Sequence, residues 1–192
     1  MNIAAVLLAA GQSTRFGETD KIAAPLNGLP LGLHAAHTLA ALPLTVRFVV
    51  TGPTTLDWPG FEIVTNDQPG VGMARSIALG VAAARRAGAE AVLIALADMP
   101  FVPAAHFLRL IARHHGPTSL AASTNGARRM PPALFGADWF ATLEGLTGDQ
   151  GARTLLDRAE MVPAAADDLL DIDRPSDLAA ARLIREGSGP TD

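Results

Sequence analysis

Three charged side chains in this chain stand where an anionic ligand could be held. Arg15 and Lys21 follow a run of small residues, Ala9-Ala10-Gly11-Gln12-Ser13, and Asp98 follows a separate apolar run. Small residues let backbone N–H groups come close to phosphate oxygens, and Arg15 and Lys21 add positive charge at the same place. Asp98 offers the hard oxygen that a divalent cation prefers, although an Asp at the end of a strand also serves as a turn or helix-cap residue. The pattern suits a polyphosphate ligand. The loop has no Gly-Lys-Ser/Thr ending of a P-loop, and it lacks the spaced glycines and downstream acid of a dinucleotide-binding turn.

Two further segments offer polar groups beside glycines. In Asn66-Asp67-Gln68-Pro69-Gly70-Val71-Gly72-Met73-Ala74-Arg75-Ser76 a turn enters a helix, so Gly70 and Gly72 permit close backbone approach and Ser76 has a hydroxyl to donate. The same segment also reads as an ordinary helix start. In Gly148-Asp149-Gln150-Gly151-Ala152-Arg153, Asp149 is either a helix cap or a ligand contact, and Arg153 follows it. His34 and His37 share a helix face and His114 adjoins His115, but none of these has a recognised metal-ligand spacing, and the five histidines are assigned no chemistry. No Ser-His-Asp ordering supports a hydrolase.

The elements that would carry these residues alternate in type. Apolar strands are expected at 3–8, 45–50, 61–64, 91–96 and 119–123. Helices are expected at 31–42, 72–87, 103–115, 138–146, 151–158 and 176–185. Alternation of this kind predicts an α/β fold with a mostly parallel central sheet and helices on both faces. Ligands in such sheets bind beyond the carboxyl ends of the strands, where Gly11 and Asp98 fall.

The 192 residues suit a single domain with residues from about 187 onward as a flexible tail, and 49% hydrophobic residues supply its core. No apolar run approaches the ~20 residues of a membrane span. A net charge of −4 argues against a general nucleic-acid surface. The absence of cysteine excludes disulfides and thiolate chemistry and, with no basic region ahead of the first apolar segment, leads to the expectation of a cytoplasmic protein.

Taken together, Leu8-Ala9-Ala10-Gly11-Gln12-Ser13-Thr14-Arg15-Phe16-Gly17, then Asp20-Lys21 and Pro25-Leu26, resemble the signature of nucleotidyltransferases with a three-layer Rossmann-like fold. Within them the chain is similar to the molybdenum cofactor guanylyl- and cytidylyltransferase group. The Leu96-Ala97-Asp98-Met99-Pro100 and Asp171-Ile172-Asp173-Arg174-Pro175 segments follow in that group's order, with Arg174 where Thr is usual.

The resemblance implies transfer of a nucleoside monophosphate from an NTP to a phosphorylated acceptor, with release of pyrophosphate. It makes Arg15, Lys21 and Asp98 the catalytic residues. Leu8, Ala9, Ala10, Gly11, Gln12, Ser13, Lys21, Asn66, Gly70 and Ser76 would bind the nucleotide. Mg²⁺ would sit on Asp98, with Asp149 as a second metal or acceptor contact and Arg153 on the acceptor side. Asp173 is expected to be mainly structural, close to the metal. An acceptor phosphate is already ionised near pH 7, so no general base is required.

Ala10, where guanylyltransferases more often have Gly, turns the expectation towards CTP, with molybdopterin as acceptor and a molybdoenzyme as eventual recipient. Arg129-Met130-Pro131-Pro132 replaces a common Arg-Gly-His-Pro, which weakens the match on the acceptor side. Rival readings are guanylyl transfer, a different phosphorylated acceptor, or a non-catalytic cofactor-binding chaperone. An NAD(P)-dependent oxidoreductase is disfavoured because the second strand ends Val49-Val50-Thr51-Gly52 without a ribose-binding acid.

Overall fold

The computed structural model of the chain describes residues 2–11, 16, 20–52, 56–148 and 152–186. Its first strand, β1 (Ile3–Ala9), is apolar and buried along its whole length, a pattern that demands cover on both faces. A two-strand hairpin follows, β2 (Pro25–Leu26) and β3 (Leu29–Pro30), turned by Asn27 and Gly28 at φ 49° and 82°. The chain continues through α1 (Leu31–Ala40), β4 (Val46–Thr51), β5 (Glu62–Thr65), α2 (Met73–Arg86), β6 (Ala91–Leu96) and α3 (Ala104–Ile111). It ends with β7 (Leu120–Thr124), β8 (Arg129–Gly136), α4 (Phe140–Glu144), α5 (Arg153–Leu156), β9 (Glu160–Pro163) and α6 (Pro175–Glu186).

Seven strands form the central sheet in the order β5-β4-β1-β6-β8-β7-β9. Within it β8 runs antiparallel to both its neighbours, while the other pairings are parallel. Alternation along each strand divides the core. Ala5 and Leu7 of β1 and Leu93 of β6 pack with Leu39 of α1 and Phe107 of α3. Val6, Val92 and Ile94 pack on the other face with Ile77 and Val81 of α2, Leu143 of α4 and Leu156 of α5. A third cluster, including Leu26, Leu31 and Ile172, joins the hairpin to α6.

The expected α/β architecture is present, with two strands of the central sheet, β8 and β9, and the β2–β3 hairpin that the sequence did not announce. Pro131 and Pro132 cannot donate to a ladder and so argue against an interior strand. β8 accommodates them by a register shift. Ala133 pairs with Ala122 but Met130 pairs with Ser123, which takes both prolines out of the pairing; the Pro131–Pro132 bond is cis. β9 is short and mostly exposed, which leaves little apolar signal. The expected helix at 151–158 contracts to the single turn of α5, and 138–146 divides into a 3₁₀ turn and α4.

On α3, His106 is fully buried and bonded on both ring nitrogens. Nδ1 lies 3.0 Å from an Arg109 guanidinium nitrogen, which can only donate, so Nδ1 accepts and the neutral ring carries its proton on Nε2. Nε2 then donates to Ser123 Oγ at 2.7 Å, and Ser123 Oγ donates to the Pro132 carbonyl at 2.7 Å.

Burial first, then the charge of Arg109, lowers the His106 pKa to about 4, with Asp168 opposing. The unfolded chain, with an ordinary histidine, takes up a proton first as pH falls. The contribution of neutral His106 is therefore full above about pH 6.5 and is lost progressively towards pH 4, ~3 kcal/mol in all. Urea unfolding at pH 7 and pH 4.5 measures that loss, and His106→Gln should flatten the decline.

Gly80 of α2 tests the packing of the other layer. A Cβ there would collide with Val6 and meet Val50 Cγ2 at 3.0 Å. Gly80→Ala should therefore destabilise by ~1–3 kcal/mol in urea unfolding, despite the better helix propensity of alanine.

Candidate functional site

The carboxyl ends of β1 and β6 open into a cleft of about 270 Å³. A hydrogen bond from Ala97 N to Leu8 O, 3.0 Å, carries the pairing of these strands past β6 and sets Asp98 beside the carboxyl end of β1. Beyond β3, the third core cluster anchors Ile172, and Ile172 N donates to Asp98 O at 3.0 Å. The flanking Asp171 and Asp173 both line the cleft. Asp177 completes this anchor by accepting from Asp173 N and Arg174 N, which caps α6 behind Pro175 at its first position.

Lys21 arrives from the opposite direction on a short 3₁₀ turn that Asp20 caps by accepting from Ile22 N at 3.1 Å. Its Nζ donates to Asp98 Oδ2 at 2.8 Å and to Asp173 Oδ1 at 3.1 Å, with the Lys21 side chain 9% exposed. Burial works against the ammonium, yet attraction to Asp98 and Asp173 outweighs it and holds the Lys21 pKa above its ordinary value. Burial raises the Asp98 pKa; Lys21 pulls it back, while Asp173 and Asp171 add to the rise. The two shifts have different leading causes: carboxylate attraction outweighs burial at Lys21, whereas burial leads at Asp98. Asp98 Oδ1 is buried and has no hydrogen-bond partner among the described residues.

Arg128 and Arg129 at the head of β8, and Arg153 on α5, line the same cleft. Arg129 Nε donates to Ala159 O at 3.2 Å, while Arg128 and Arg153 are exposed. Between the charged groups lie apolar side chains, Met99, Met130 and Pro131 among them. Ala74 N on α2 donates to Gly148 O at 3.3 Å, tying the start of that helix to the loop that leads to α5.

The structure thus brings together Leu8, Lys21, Asp98 and Arg153 from the set selected on sequence. Ala9 and Ala10 are buried at the end of β1 and Gly11 is exposed, with no described atom within 4 Å of where its Cβ would be. Asn66 and Ser76 do not line the cleft. They are buried and bonded to each other at 2.9 Å, and Asn66 Oδ1 also accepts from Gln68 N and Arg75 Nε. Gly70 lies on the adjoining 3₁₀ turn. Gln12, Ser13, Arg15 and Asp149 lie outside the described residues. α5 begins at Arg153 with Ala152 in the cap position.

Sequence reasoning gave no role to Asp171 or Arg128, and named Arg129 only within the segment compared on the acceptor side. Asp171 was detectable, because an extended Asp-Ile-Asp with its Ile buried turns both acids to the other side. Arg128 became visible only with β8.

A mostly parallel sheet with helices on both faces, and a cationic and acidic cleft at its strand ends, defines a Rossmann-like nucleotidyltransferase. The chain belongs to the family of MobA-like NTP transferase domains, whose model matches residues 5–163. It is 31% identical to the purine catabolism protein PucB of Bacillus subtilis, over 92% of this chain and 94% of that one. It is 29% identical to a molybdenum cofactor guanylyltransferase of Cereibacter sphaeroides, over 96% and 97%. A nucleotidyl transferase from Methanothermobacter thermautotroptrophicus shares the fold with a TM-score of 0.82 at 24% identity, covering 98% of this chain and 99% of its own.

Removing the lysine tests whether its charge serves more than packing. Lys21→Met should leave a folded protein whose turnover falls by ~100-fold or more, as for loss of one preorganised donor at a developing charge, measured as pyrophosphate release. Lys21→Arg should restore only part of it, because a planar guanidinium does not reproduce a point charge shared by two carboxylates.

Proposed function

We propose that the protein is a Mg²⁺-dependent nucleotidyltransferase that moves a nucleoside monophosphate from an NTP, CTP in first place, to the terminal phosphate of molybdopterin. The observation that carries this reading is the placement of the Lys21–Asp98–Asp173 cluster and the arginines of β8 and α5 on one cleft. The triphosphate would lie over the end of β1, where Gly11 leaves room for it, with Lys21 and Arg15 offsetting its charge. Arg128 and Arg153 would draw in the acceptor phosphate, and Met99, Met130 and Pro131 offer an apolar wall to a flat heterocycle.

The residues present fit a magnesium ion. Asp98 Oδ1, which has no hydrogen-bond partner among the described residues, the neighbouring carboxylates of Asp171 and Asp173 on the cleft, and the all-oxygen donor set they make are what that cation prefers, with substrate phosphates and water completing its shell. When bound it would neutralise charge on the transferring phosphate. An acceptor phosphate oxygen attacks the α-phosphorus, a new P–O bond forms, and the bond from the α-phosphorus to the bridging oxygen breaks to release pyrophosphate. The acceptor is already ionised, so no side chain has to remove a proton.

A guanylyl donor is the second reading, favoured by the relative named as a molybdenum cofactor guanylyltransferase, which aligns with 96% of this chain. Pyrophosphate release with Mg²⁺ and molybdopterin, run with CTP, GTP, ATP and UTP against an Asp98→Ala blank, distinguishes the two. Release with CTP that vanishes in the variant is the expected outcome. Release with GTP instead replaces the donor, and release with none overturns the acceptor assignment.

A further inference from the structure

The bonds that leave His106 have only one polarity. Pro132 O can only accept, so Ser123 Oγ donates to it and must itself accept from His106 Nε2, which requires Nδ1 to accept from Arg109. Arg109 in turn donates to Pro163 O at 3.3 Å on β9. The chain of bonds therefore runs from an edge strand, through α3, to one carbonyl in the middle of β8.

That carbonyl belongs to the two-residue excursion of β8. Pro131 and Pro132 have no N–H, and the register shift takes them out of the ladder, so the excursion cannot be held by strand pairing at those positions. Ser123 supplies a bond to it from the neighbouring strand. The excursion is also where β8 turns Met130 and Pro131 to the cleft. A histidine and a serine, both 0% exposed, cost desolvation that an apolar pair would avoid, and the bond to Pro132 is what their presence secures.

We propose that His106 and Ser123 are positioning residues for the acceptor: through the Pro132 carbonyl they fix Met130 and Pro131 at the cleft and so set recognition of the acceptor's ring, leaving nucleotide recognition unaffected. This rests on the reading of the Met130 side of the cleft as the acceptor side.

The test combines kinetics with ¹³C-methyl methionine spectra of the full chain. Ser123→Ala and His106→Leu should raise the KM for molybdopterin ~tenfold, as expected for loss of a buried hydrogen bond, with the nucleotide KM within about twofold. The Met130 methyl resonance should shift, while that of Met73 on α2 stays in place. His106→Gln, whose amide nitrogen can replace Nε2 as the donor, should restore both readouts. An unmoved Met130 signal in folded Ser123→Ala overturns the proposal. So does a rise in both KM values in proportion to lost thermal stability. If the wild-type protein does not use molybdopterin, the acceptor reading fails by itself, and the Met130 signal still decides whether the brace positions the wall.

Discussion

One ammonium group holds the site in register. Lys21 meets carboxylates 77 and 152 positions further along the chain, so its two bonds join the first loop, the end of β6 and the segment that leads into α6. Those segments also meet through the Ile172 N to Asp98 O bond and through apolar contacts, and apolar contacts fix distance loosely and orientation hardly at all. A short charge-assisted bond in a buried setting does both. It works because each partner is separately anchored: Lys21 by the turn that Asp20 caps, Asp98 by the β1–β6 pairing that runs on past the strands, and Asp173 by the buried Ile172 beside it.

Positioning and reactivity pull against each other in that arrangement. The two carboxylates that share Lys21 repel each other, and the repulsion is tolerated because Asp173 stays partly in water, 43% exposed, while Asp98 is kept from solvent at 22%. The chain's net charge of −4 plays no part in attracting anionic ligands. On the proposed reading, local arginines and the lysine would do that work within a few ångströms, where screening by salt is weakest.

Much of the sheet could be read from the chain because its central strands are covered on both faces and so are apolar without interruption. β1 and β6 announce themselves in that way, and with them the loops that hold Gly11 and Asp98. β8 does not, since two prolines mask an interior strand whose irregularity is compensated by a serine on the next strand, a tertiary fact with no local signal. Asn66 and Ser76 show a different limit. Their types and spacing suit ligand contact equally well, and only the fold reveals that they bond to one another. His106 was passed over for a similar reason: a single histidine on a helix carries no pattern, and its partners come from a strand and from the same helix three residues on.

The reversed direction of β8 has a consequence for how such a cleft can change over time. Parallel strands can contribute only their final residues and the loops after them to the active edge of a sheet. An inverted strand contributes its beginning, here Arg129 to Pro131, together with the hairpin loop that precedes it. That loop is exposed and joins neighbouring strands, so it can lengthen, shorten or exchange residues without disturbing the connections that carry Gly11, Lys21 and Asp98. On the proposed reading, one end of the cleft is thereby free to diversify while the chemistry at the other end stays constant, which would give a single scaffold a modular route to new acceptors.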